Sequence, residues 1–326
     1  MRIDVHSHFI DLEFTKHLQG RASMPRTVLE GGVYVVQCAT GWHLPTLPNI
    51  VDMDVKLRDM EAMGIDRTVL SVSVPGPEIL GGAEADDWAQ HINDHLAAIL
   101  ADYPDKFVGF GTLGFGDPAR AIAEADRCIH ALGFRGIELF SNVAGKPLDA
   151  PELRPVFEHV AALGVPLNMH PGVPLNRAFI DRSTLMVPLG FLYDTSLNAL
   201  RLIESGVFDT APDLNLIVPH IGGVLPYLHG RIASYSRPSL HFTTLPQLQH
   251  PVEHYLDRLY LDTVCYHVEA LEYVYRFLGP ERLLLGTDHP YGDYQTAAGI
   301  VEQLHCTAAE RELIYHGNAE RLLRLG

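Results

Sequence analysis

Short apolar segments alternate with longer amphipathic segments along most of this 326-residue chain. The apolar segments are nearly continuous runs of Val, Ile, Leu and Phe, which is typical of parallel strands buried on both faces. We predict the following strands: Arg2–Phe9, Arg67–Ser73, Phe107–Leu113, Gly136–Phe140, Pro166–His170, Leu214–His220, Leu259–Thr263 and Arg282–Asp288.

Between these strands, apolar residues recur with the period of a helix. The predicted helices include Asp52–Met63, Glu84–Tyr103, Asp117–Leu132, Glu152–Leu163, Ser196–Ser205, His267–Leu278 and Ala308–Leu325. Eight strand–helix units in succession are the number that a TIM-type barrel requires. The pattern therefore predicts an α/β protein with a (β/α)8 TIM-type barrel.

Two stretches interrupt this alternation. Residues 10–50 follow the first strand, are rich in Gly and Pro, and contain an apolar segment around Gly32–Gln37 that predicts a small hairpin. Residues 235–256 form a second irregular stretch before the seventh strand. Long insertions in barrels usually serve as lids, substrate walls or subunit contacts. We predict one domain over residues 1–326, with a lid at residues 10–50.

Composition narrows the possible classes of function. The formal net charge of −16 argues against a nucleic-acid surface, which needs clustered Lys and Arg. No apolar run approaches the ~18 residues of a membrane span and the first residues lack an apolar signal segment, so we expect a cytoplasmic protein. The cysteines form no C-x-x-C pair, which disfavours a disulfide framework or a thiolate zinc site; they are Cys38, Cys128, Cys265 and Cys306.

His6 and His8 lie near the end of the first predicted strand, two residues apart. Because side chains alternate between the two faces of a strand, both imidazoles are predicted to face the barrel interior. They also lie at the C-terminal end of the strand, on the face where barrel active sites are built. Two histidines in one strand can occur by chance, so the pair alone is weak evidence for a metal site.

Three other predicted strands end in residues of the same kind, namely His170, His220 and Asp288. Each could cap a loop or satisfy a buried backbone group, but that explanation is poor for all of them together. Imidazole suits Zn²⁺ and related first-row ions, and a carboxylate can add charge or take a proton. A catalytic metal also keeps an open coordination position. The sequence therefore predicts a catalytic divalent metal.

Several segments resemble the amidohydrolase superfamily, including DVHSHF, NMHPG, SGVFDTAPDLNLIVPHIGG, GRIASYSRP and LLLGTDHP. The resemblance is closest to the amidohydrolase-2 group, typified by 2-amino-3-carboxymuconate 6-semialdehyde decarboxylase, and it covers most of the chain. It implies a metal-dependent (β/α)8 barrel that is often a homodimer. Members of the group include non-oxidative decarboxylases as well as hydrolases, lactonases and hydratases.

The resemblance also implies roles for individual residues. It assigns the metal to four ligands, which are His6, His8, His170 and Asp288. It makes His220 the general acid/base that handles the substrate proton or a metal-bound water, and Asp288 lies beside the same open position. His220 and Asp288 are therefore the predicted catalytic residues.

Arg231 follows His220 by eleven residues. In the amidohydrolase-2 group that this chain resembles, an arginine at this spacing reaches the substrate carboxylate of the neighbouring subunit. For Arg231, a salt bridge on a helix surface is an equally good interpretation. The chain departs from the group at Gln37, where a second substrate arginine is expected, and at His289, where an aromatic residue is common. These departures put the muconate substrate in doubt and leave the predicted metal ligands untouched.

Trp42, His267 and His289 are the remaining candidates for substrate contact. Trp42 could instead have a structural role in the lid, and His267 could cap the helix that follows it. Arg177 and Arg182 are candidate anion contacts, although a surface role is the better interpretation for both.

We therefore predict a metal-dependent, non-oxidative decarboxylase of a small hydroxyaromatic or unsaturated carboxylic acid. One divalent ion is expected, Zn²⁺ first and Mn²⁺ as the alternative, in a homodimer. The alternative function is a hydrolase that uses metal-bound water to attack a lactone, an amide or a C–C bond. A barrel that binds a ligand without turnover is the third interpretation, disfavoured by the intact His220.

Overall fold

A computed structural model describes residues 1–175, 180, 182–237 and 247–325. Its strands, in chain order, are β1 (Ile3–Phe9), β2 (Arg26–Glu30), β3 (Val33–Ala39), β4 (Trp42–Pro45), β5 (Arg67–Val72), β6 (Phe107–Gly111), β7 (Gly136–Phe140), β8 (Asn142–Val143), β9 (Lys146–Pro147), β10 (Leu167–His170), β11 (Leu216–Val218), β12 (Tyr260–Asp262) and β13 (Leu283–Leu284). Eight of them form one parallel sheet in the order β1-β5-β6-β7-β10-β11-β12-β13.

The chain after β13 returns to β1 and brings the two edges of the sheet together. The backbone N–H of Val5 donates to the Leu285 carbonyl at 2.8 Å, and the N–H of Asp288 donates to the His6 carbonyl at 2.8 Å. These bonds extend the parallel pairing beyond the regular part of β13. The predicted (β/α)8 TIM-type barrel is confirmed, and the closure places Asp288 beside His6.

Helices and helical turns surround the sheet. The α-helices are Leu12–His17, Pro48–Val51, Met53–Met63, Gly82–Asp102, Pro118–His130, Arg154–Leu163, Ser183–Leu185, Leu192–Glu204, Val207–Thr210, Leu225–Tyr235, Val252–Leu256, Val268–Leu278, Tyr294–Gly299, Ala308–Glu312 and Asn318–Leu323. Short 3₁₀ or π turns cover Leu18–Gly20, Pro77–Ile79, Met186–Phe191, Pro280–Arg282, Ile300–Gln303 and Leu313–Gly317. Among these described helices, none is both long enough and apolar enough to cross a membrane.

The last predicted helix, Ala308–Leu325, is helical over residues 308–323, with one interruption of its α-helical hydrogen bonding. A π-helical turn at Leu313–Gly317 divides it. The carbonyl of Ile314, inside that turn, accepts a 3.0 Å hydrogen bond from the N–H of Leu285. The wider turn therefore ties the end of the chain to the segment that closes the barrel.

Two predicted strands are shorter than expected at their C-terminal ends. The sixth was predicted to run to His220 and the eighth to Asp288, but the regular strands end at Val218 and Leu284, with irregular pairing to β1 continuing after Leu284. His220 has φ of 54° and Asp288 has φ of 61°, so both adopt left-handed conformations that a strand cannot contain. The residues that carry the predicted chemistry are thus the ones that end the strands.

The insertion after β1 contains an antiparallel sheet of β2, β3 and β4. Gly31 and Gly32 join the first two of these strands with φ of 58° and 86°, values that glycine adopts without steric cost. The predicted hairpin is confirmed, and β4, which carries the buried Trp42, was not predicted. In the second insertion, residues 238–246 lie outside the described part of the chain.

Candidate metal centre

Four buried or nearly buried side chains converge at the C-terminal end of the barrel strands. They are His6 and His8 of β1, His170 at the end of β10, and Asp288 in the closing segment; one potential ligand atom from each lies within 4.8 Å of all the others. The Nε2 atoms of His6 and His8 are 3.1 Å apart, and each is 3.3 Å from Oδ1 of Asp288. The sequence prediction that these four residues lie together agrees with this geometry.

The outer nitrogen of each imidazole faces a hydrogen-bond acceptor. The Nδ1 partners are Asp262 Oδ2 at 2.6 Å for His6, Ser71 Oγ at 3.4 Å for His8 and the Pro171 carbonyl at 3.0 Å for His170. When Nδ1–H donates outward, Nε2 keeps its lone pair and presents it to the centre. Such outer partners are characteristic of metal-binding histidines.

Burial sets the protonation states of this cluster. It lowers the pKa of His8 to about 4 and that of His170 well below the ordinary range, so both imidazoles are neutral. For His6 the effect of burial is outweighed by the carboxylates of Asp288 and Asp262, which raise its pKa to about 9. Burial likewise opposes ionisation of Asp288, but the neighbouring imidazoles hold the pKa of that carboxyl well below its usual value.

The arrangement of polar atoms in this cluster fits a divalent cation. The buried Oδ1 of Asp288 has no hydrogen-bond partner among the described residues. The Nε2 atoms of His6 and His8 face it at 3.3 Å, and these crowded acceptor atoms need a shared positive charge, either the proton that His6 carries at its raised pKa or a metal ion. The same negative potential that favours a proton on His6 would favour a metal ion. A divalent metal site is therefore indicated here.

His220 lies beside this cluster on a tight turn, Pro219–Gly222. Its Nε2 is 3.6 Å from Oδ2 of Asp288, and its buried Nδ1 has no partner among the described residues. Asp262 supports the turn, because its Oδ1 accepts the backbone N–H of Ile221 at 3.2 Å while its Oδ2 contacts His6. One carboxylate thus connects a proposed ligand to the backbone that positions His220.

A cavity of about 490 Å³ opens from this cluster towards the insertion. Its walls are mainly apolar and include Trp42, Leu44, Val74, Phe191, Val264 and Tyr291. His170, His220 and Asp288 form its polar end. A mostly apolar cavity with a few convergent polar groups is the usual form of a small-molecule site.

Comparison with known proteins identifies the family. A family model described as Amidohydrolase matches residues 3–325. The chain belongs to this amidohydrolase family. The resemblance noted from its segments is therefore confirmed.

Two similar proteins are decarboxylases. A 2-amino-3-carboxymuconate-6-semialdehyde decarboxylase of Dictyostelium discoideum is 32% identical over 285 residues, covering 85% of this chain and 78% of that protein. A gamma-resorcylate decarboxylase of Polaromonas sp. JS666 is 33% identical over 284 residues, covering 83% of this chain and 87% of that protein.

A solved structure shares the fold over almost its whole length. It is a dihydroxybenzoic acid decarboxylase from Polaromonas sp. JS666 with bound manganese and the inhibitor 2-nitroresorcinol. The TM-score is 0.82 at 26% identity, covering 99% of this chain and 97% of that one.

Two predicted substrate contacts in this amidohydrolase do line the cavity. Trp42 is buried, its ring centre is 4.9 Å from that of Phe191, and its Nε1 has no partner among the described residues. His267 precedes the helix Val268–Leu278 but makes no capping hydrogen bond through its side chain, which is 88% exposed. His267 does occupy the N-cap position of that helix, where its backbone carbonyl accepts the N–H of Ala270 at 3.1 Å, so the alternative role is met by its backbone and not by its side chain.

The predicted substrate contact through His289 is not supported. His289 is buried, its ring nitrogens contact Lys56 Nζ at 2.8 Å and Asp59 Oδ2 at 2.9 Å, and it is not among the residues that line the cavity. Asp288 points to the barrel interior, and the following side chain points to the helix layer instead.

Arg231 also lies away from this cavity. It is exposed on the helix Leu225–Tyr235, with its guanidinium 4.8 Å from the ring centre of Tyr235. The predicted contact is with a neighbouring subunit's substrate, so it stays a prediction. Arg177 lies outside the described residues.

Sequence reasoning missed two residues that support the centre. Asp262 lies at the end of the predicted strand Leu259–Thr263, and a carboxylate at that end is the same kind of evidence that identified His170. Lys56 lies in the predicted helix Asp52–Met63, on the same face as Met53, Met60 and Met63, all of which are buried. Its place on an apolar face was the available evidence for burial.

Proposed function

We propose that this protein is a metal-dependent, non-oxidative decarboxylase of a small hydroxyaromatic carboxylic acid. In this proposal, one divalent ion is held by His6, His8, His170 and Asp288. The observation that carries it is the convergence of imidazole lone pairs and a carboxylate at the polar end of an apolar cavity. The decarboxylase activities of the relatives support the choice of reaction.

The identity of the ion is part of the proposal. Ligand chemistry favours Zn²⁺ for a set of imidazoles and one carboxylate, whereas the bound manganese of the Polaromonas structure supports Mn²⁺. When bound, such an ion would act as a Lewis acid on the oxygens of the substrate carboxylate or of a neighbouring hydroxyl. Elemental analysis of the purified protein should find about one divalent ion per chain.

The reaction requires a proton at a defined carbon atom. When the bond between the ring carbon and the carboxylate breaks, CO₂ leaves and its bonding electron pair stays on the ring carbon, which must then take one proton. His220 and Asp288 are the proposed proton-handling pair, since His220 Nε2 lies 3.6 Å from Asp288 Oδ2 at the polar end of the cavity. Apolar walls exclude water and strengthen these electrostatic interactions.

We further propose that residues 10–50 act as a lid within one domain. Trp42 and Leu44 of β4 line the cavity, so this insertion already forms part of the wall around the substrate.

A homodimer is part of the same proposal, with Arg231 as the residue that would reach the partner's substrate. Sedimentation of the wild-type protein and of Arg231→Ala, with KM measured for both, tests that role.

The test of the reaction is CO₂ release from defined acids. Metal-loaded protein should convert 2,6-dihydroxybenzoate, or another hydroxybenzoate, to CO₂ and the corresponding phenol in equal amounts. Benzoate serves as the matched control, because it lacks the hydroxyl next to the carboxylate. Protein stripped with a chelator should be inactive and should recover when Mn²⁺ or Zn²⁺ is returned.

Hydrolysis is the second candidate, favoured by the description of the matched family as amidohydrolase. His220 beside Asp288 could equally accept a proton from an attacking water. Opening of a lactone or amide by metal-loaded protein, together with no CO₂ from any hydroxybenzoate, would replace the decarboxylase by this alternative.

A further inference from the structure

A second buried polar cluster lies on the other side of β1, between the barrel and the helix Met53–Met63. Its central group is the amine of Lys56, whose side chain is fully buried. Nζ contacts Ser7 Oγ at 3.0 Å and His289 Nδ1 at 2.8 Å. We call Lys56, Ser7, His289 and Asp59 the outer cluster.

A buried lysine is unfavourable unless its amine is hydrogen-bonded. Lys56 projects from a helix face that otherwise buries methionines, so packing alone would favour an apolar residue at this position. Burial lowers the pKa of Lys56 to about 7, with Asp4 and Asp59 opposing the shift. Either form of the amine can donate to Ser7 and His289.

His289 is oriented so that it can accept from that amine. Its Nε2 is 2.9 Å from Oδ2 of Asp59, and the same oxygen accepts from the side-chain amide of Asn49 at 2.9 Å. Nε2 must therefore carry the ring proton that Asp59 accepts, which leaves Nδ1 as the acceptor for Lys56. Burial, and next the charge of Lys56, lower the pKa of His289 to about 4 and keep it neutral.

The outer cluster joins the two chain segments that carry three of the proposed ligands. Ser7 stands between His6 and His8, and its Oγ donates to the carbonyl of His289 at 3.2 Å. His289 directly follows Asp288. One amine thus bridges β1 and the closing segment immediately behind the proposed metal site.

We propose that Lys56 is a positioning residue for the metal site, which it supports through Ser7 and His289 by setting the separation between β1 and Asp288. The inference rests on the proposed function only in taking His6, His8 and Asp288 as ligands. Partners behind the ligands of a metal orient them, and their loss typically weakens metal binding about 10- to 100-fold.

The experiment compares Lys56→Met with Lys146→Met, since Lys146 is exposed and its ion pair among the described residues is with Glu152. The dissociation constant for Mn²⁺ is measured by calorimetry on metal-stripped protein, at a temperature where circular dichroism shows both variants folded. Lys56→Met should bind Mn²⁺ about 10- to 100-fold more weakly, and Lys146→Met should match wild type. A merely structural role would lower the unfolding temperature and leave the dissociation constant unchanged, which would overturn the proposal.

Two further variants keep the test decisive if Lys56→Met fails to fold. Ser7→Ala removes one of the two links and should weaken Mn²⁺ binding by less than the loss of the amine. Lys56→Met combined with His289→Phe replaces the polar contact by apolar packing, so it should fold and still bind Mn²⁺ more weakly than wild type. Wild-type affinity in both variants would contradict the proposal.

The outcomes also separate this inference from the proposed function. Wild-type protein that binds Mn²⁺ but releases no CO₂ would defeat the reaction and leave the positioning role of Lys56 standing. Wild-type protein that binds no divalent ion would defeat the metal site and the inference with it. Undiminished affinity in the variants would defeat the inference alone.

Discussion

Two buried polar groups lie on opposite sides of β1, the proposed ligands inside the barrel and the outer cluster around His289, and they differ in how their polar atoms are satisfied. On the inner side, the Nε2 atoms of His6 and His8 are 3.1 Å apart and converge on the buried Oδ1 of Asp288, which has no hydrogen-bond partner among the described residues. On the outer side, both ring nitrogens of His289 have a partner, in Lys56 and Asp59. Burial of imidazole is common to both groups, and only the inner one leaves lone pairs that call for a cation.

Their electrostatic environments are opposite as well. In the inner group, burial keeps His8 neutral with a pKa of about 4, but the carboxylates of Asp288 and Asp262 raise the pKa of His6 to about 9, so the group as a whole accepts one added positive charge. In the outer group, burial and then the Lys56 amine lower the pKa of His289 to about 4, so an added positive charge is disfavoured. A metal ion should therefore bind on one side of β1 and not on the other.

The largest expected effect comes from removing the carboxylate of the inner group. Asp288→Ala removes a proposed ligand, so it should weaken metal binding by more than the roughly 100-fold that follows loss of a side chain hydrogen-bonded to a ligand. It should also abolish turnover. Asp59→Ala is the matched change in the outer cluster and should retain most of the bound metal. Elemental analysis and Mn²⁺ titration of both variants measure the difference. Equal losses would show that the two groups do not differ in the way proposed.

A smaller effect is expected from the histidine that shares the cavity but is not a proposed ligand. His220→Asn should lower kcat about 10²- to 10⁴-fold, the usual contribution of general acid–base catalysis, while the metal stays bound. His229→Asn, on the following helix and paired with Asp257, is the control and should leave kcat unchanged. Turnover at the wild-type rate in His220→Asn would remove this residue from the mechanism.

The sequence predicted the inner group more readily than the outer one, for a physical reason. Alternation along β1 and the C-terminal ends of parallel strands bring His6, His8 and His170 to one place in any barrel of this kind. The outer cluster depends on how the helix Met53–Met63 packs on the sheet. That packing was not predictable from periodicity, so His289 was assigned to the substrate.

Strand ends were the least predictable part of the fold. The apolar runs around β11 and β13 extend beyond the strands, because His220 and Asp288 turn the chain into left-handed conformations. Pro219 before His220 and Pro290 soon after Asp288 were the available signals that the strands end near these positions. Asp262 could have been noticed from its place at the end of a predicted strand, but the turn that it supports is seen only in the structure.

Asp262→Asn tests a residue that is not a proposed ligand but contacts the proposed ligand His6. The amide can present a donor to Nδ1 of His6, which would place the ring proton on Nε2 and direct it into the metal site. We expect metal affinity to fall about 10- to 100-fold and kcat to fall with it, because Asp262 also holds the turn that carries His220. Asp257→Asn, on the exposed surface, is the control. An unchanged Mn²⁺ dissociation constant would argue against this support.

The outer cluster is also distinguished by how the stability of the protein depends on pH. The folded protein lowers the pKa of Lys56 from its ordinary 10.5 to about 7, so between these values the unfolded chain binds a proton that the folded protein does not. Stability of wild type should therefore rise with pH across this interval relative to Lys56→Met, by at most about 1.4 kcal/mol per pH unit. Urea unfolding of the two metal-free proteins at several pH values measures the difference. Parallel curves would mean that Asp4 and Asp59 keep the buried amine protonated, and the outer cluster would then be an ion pair.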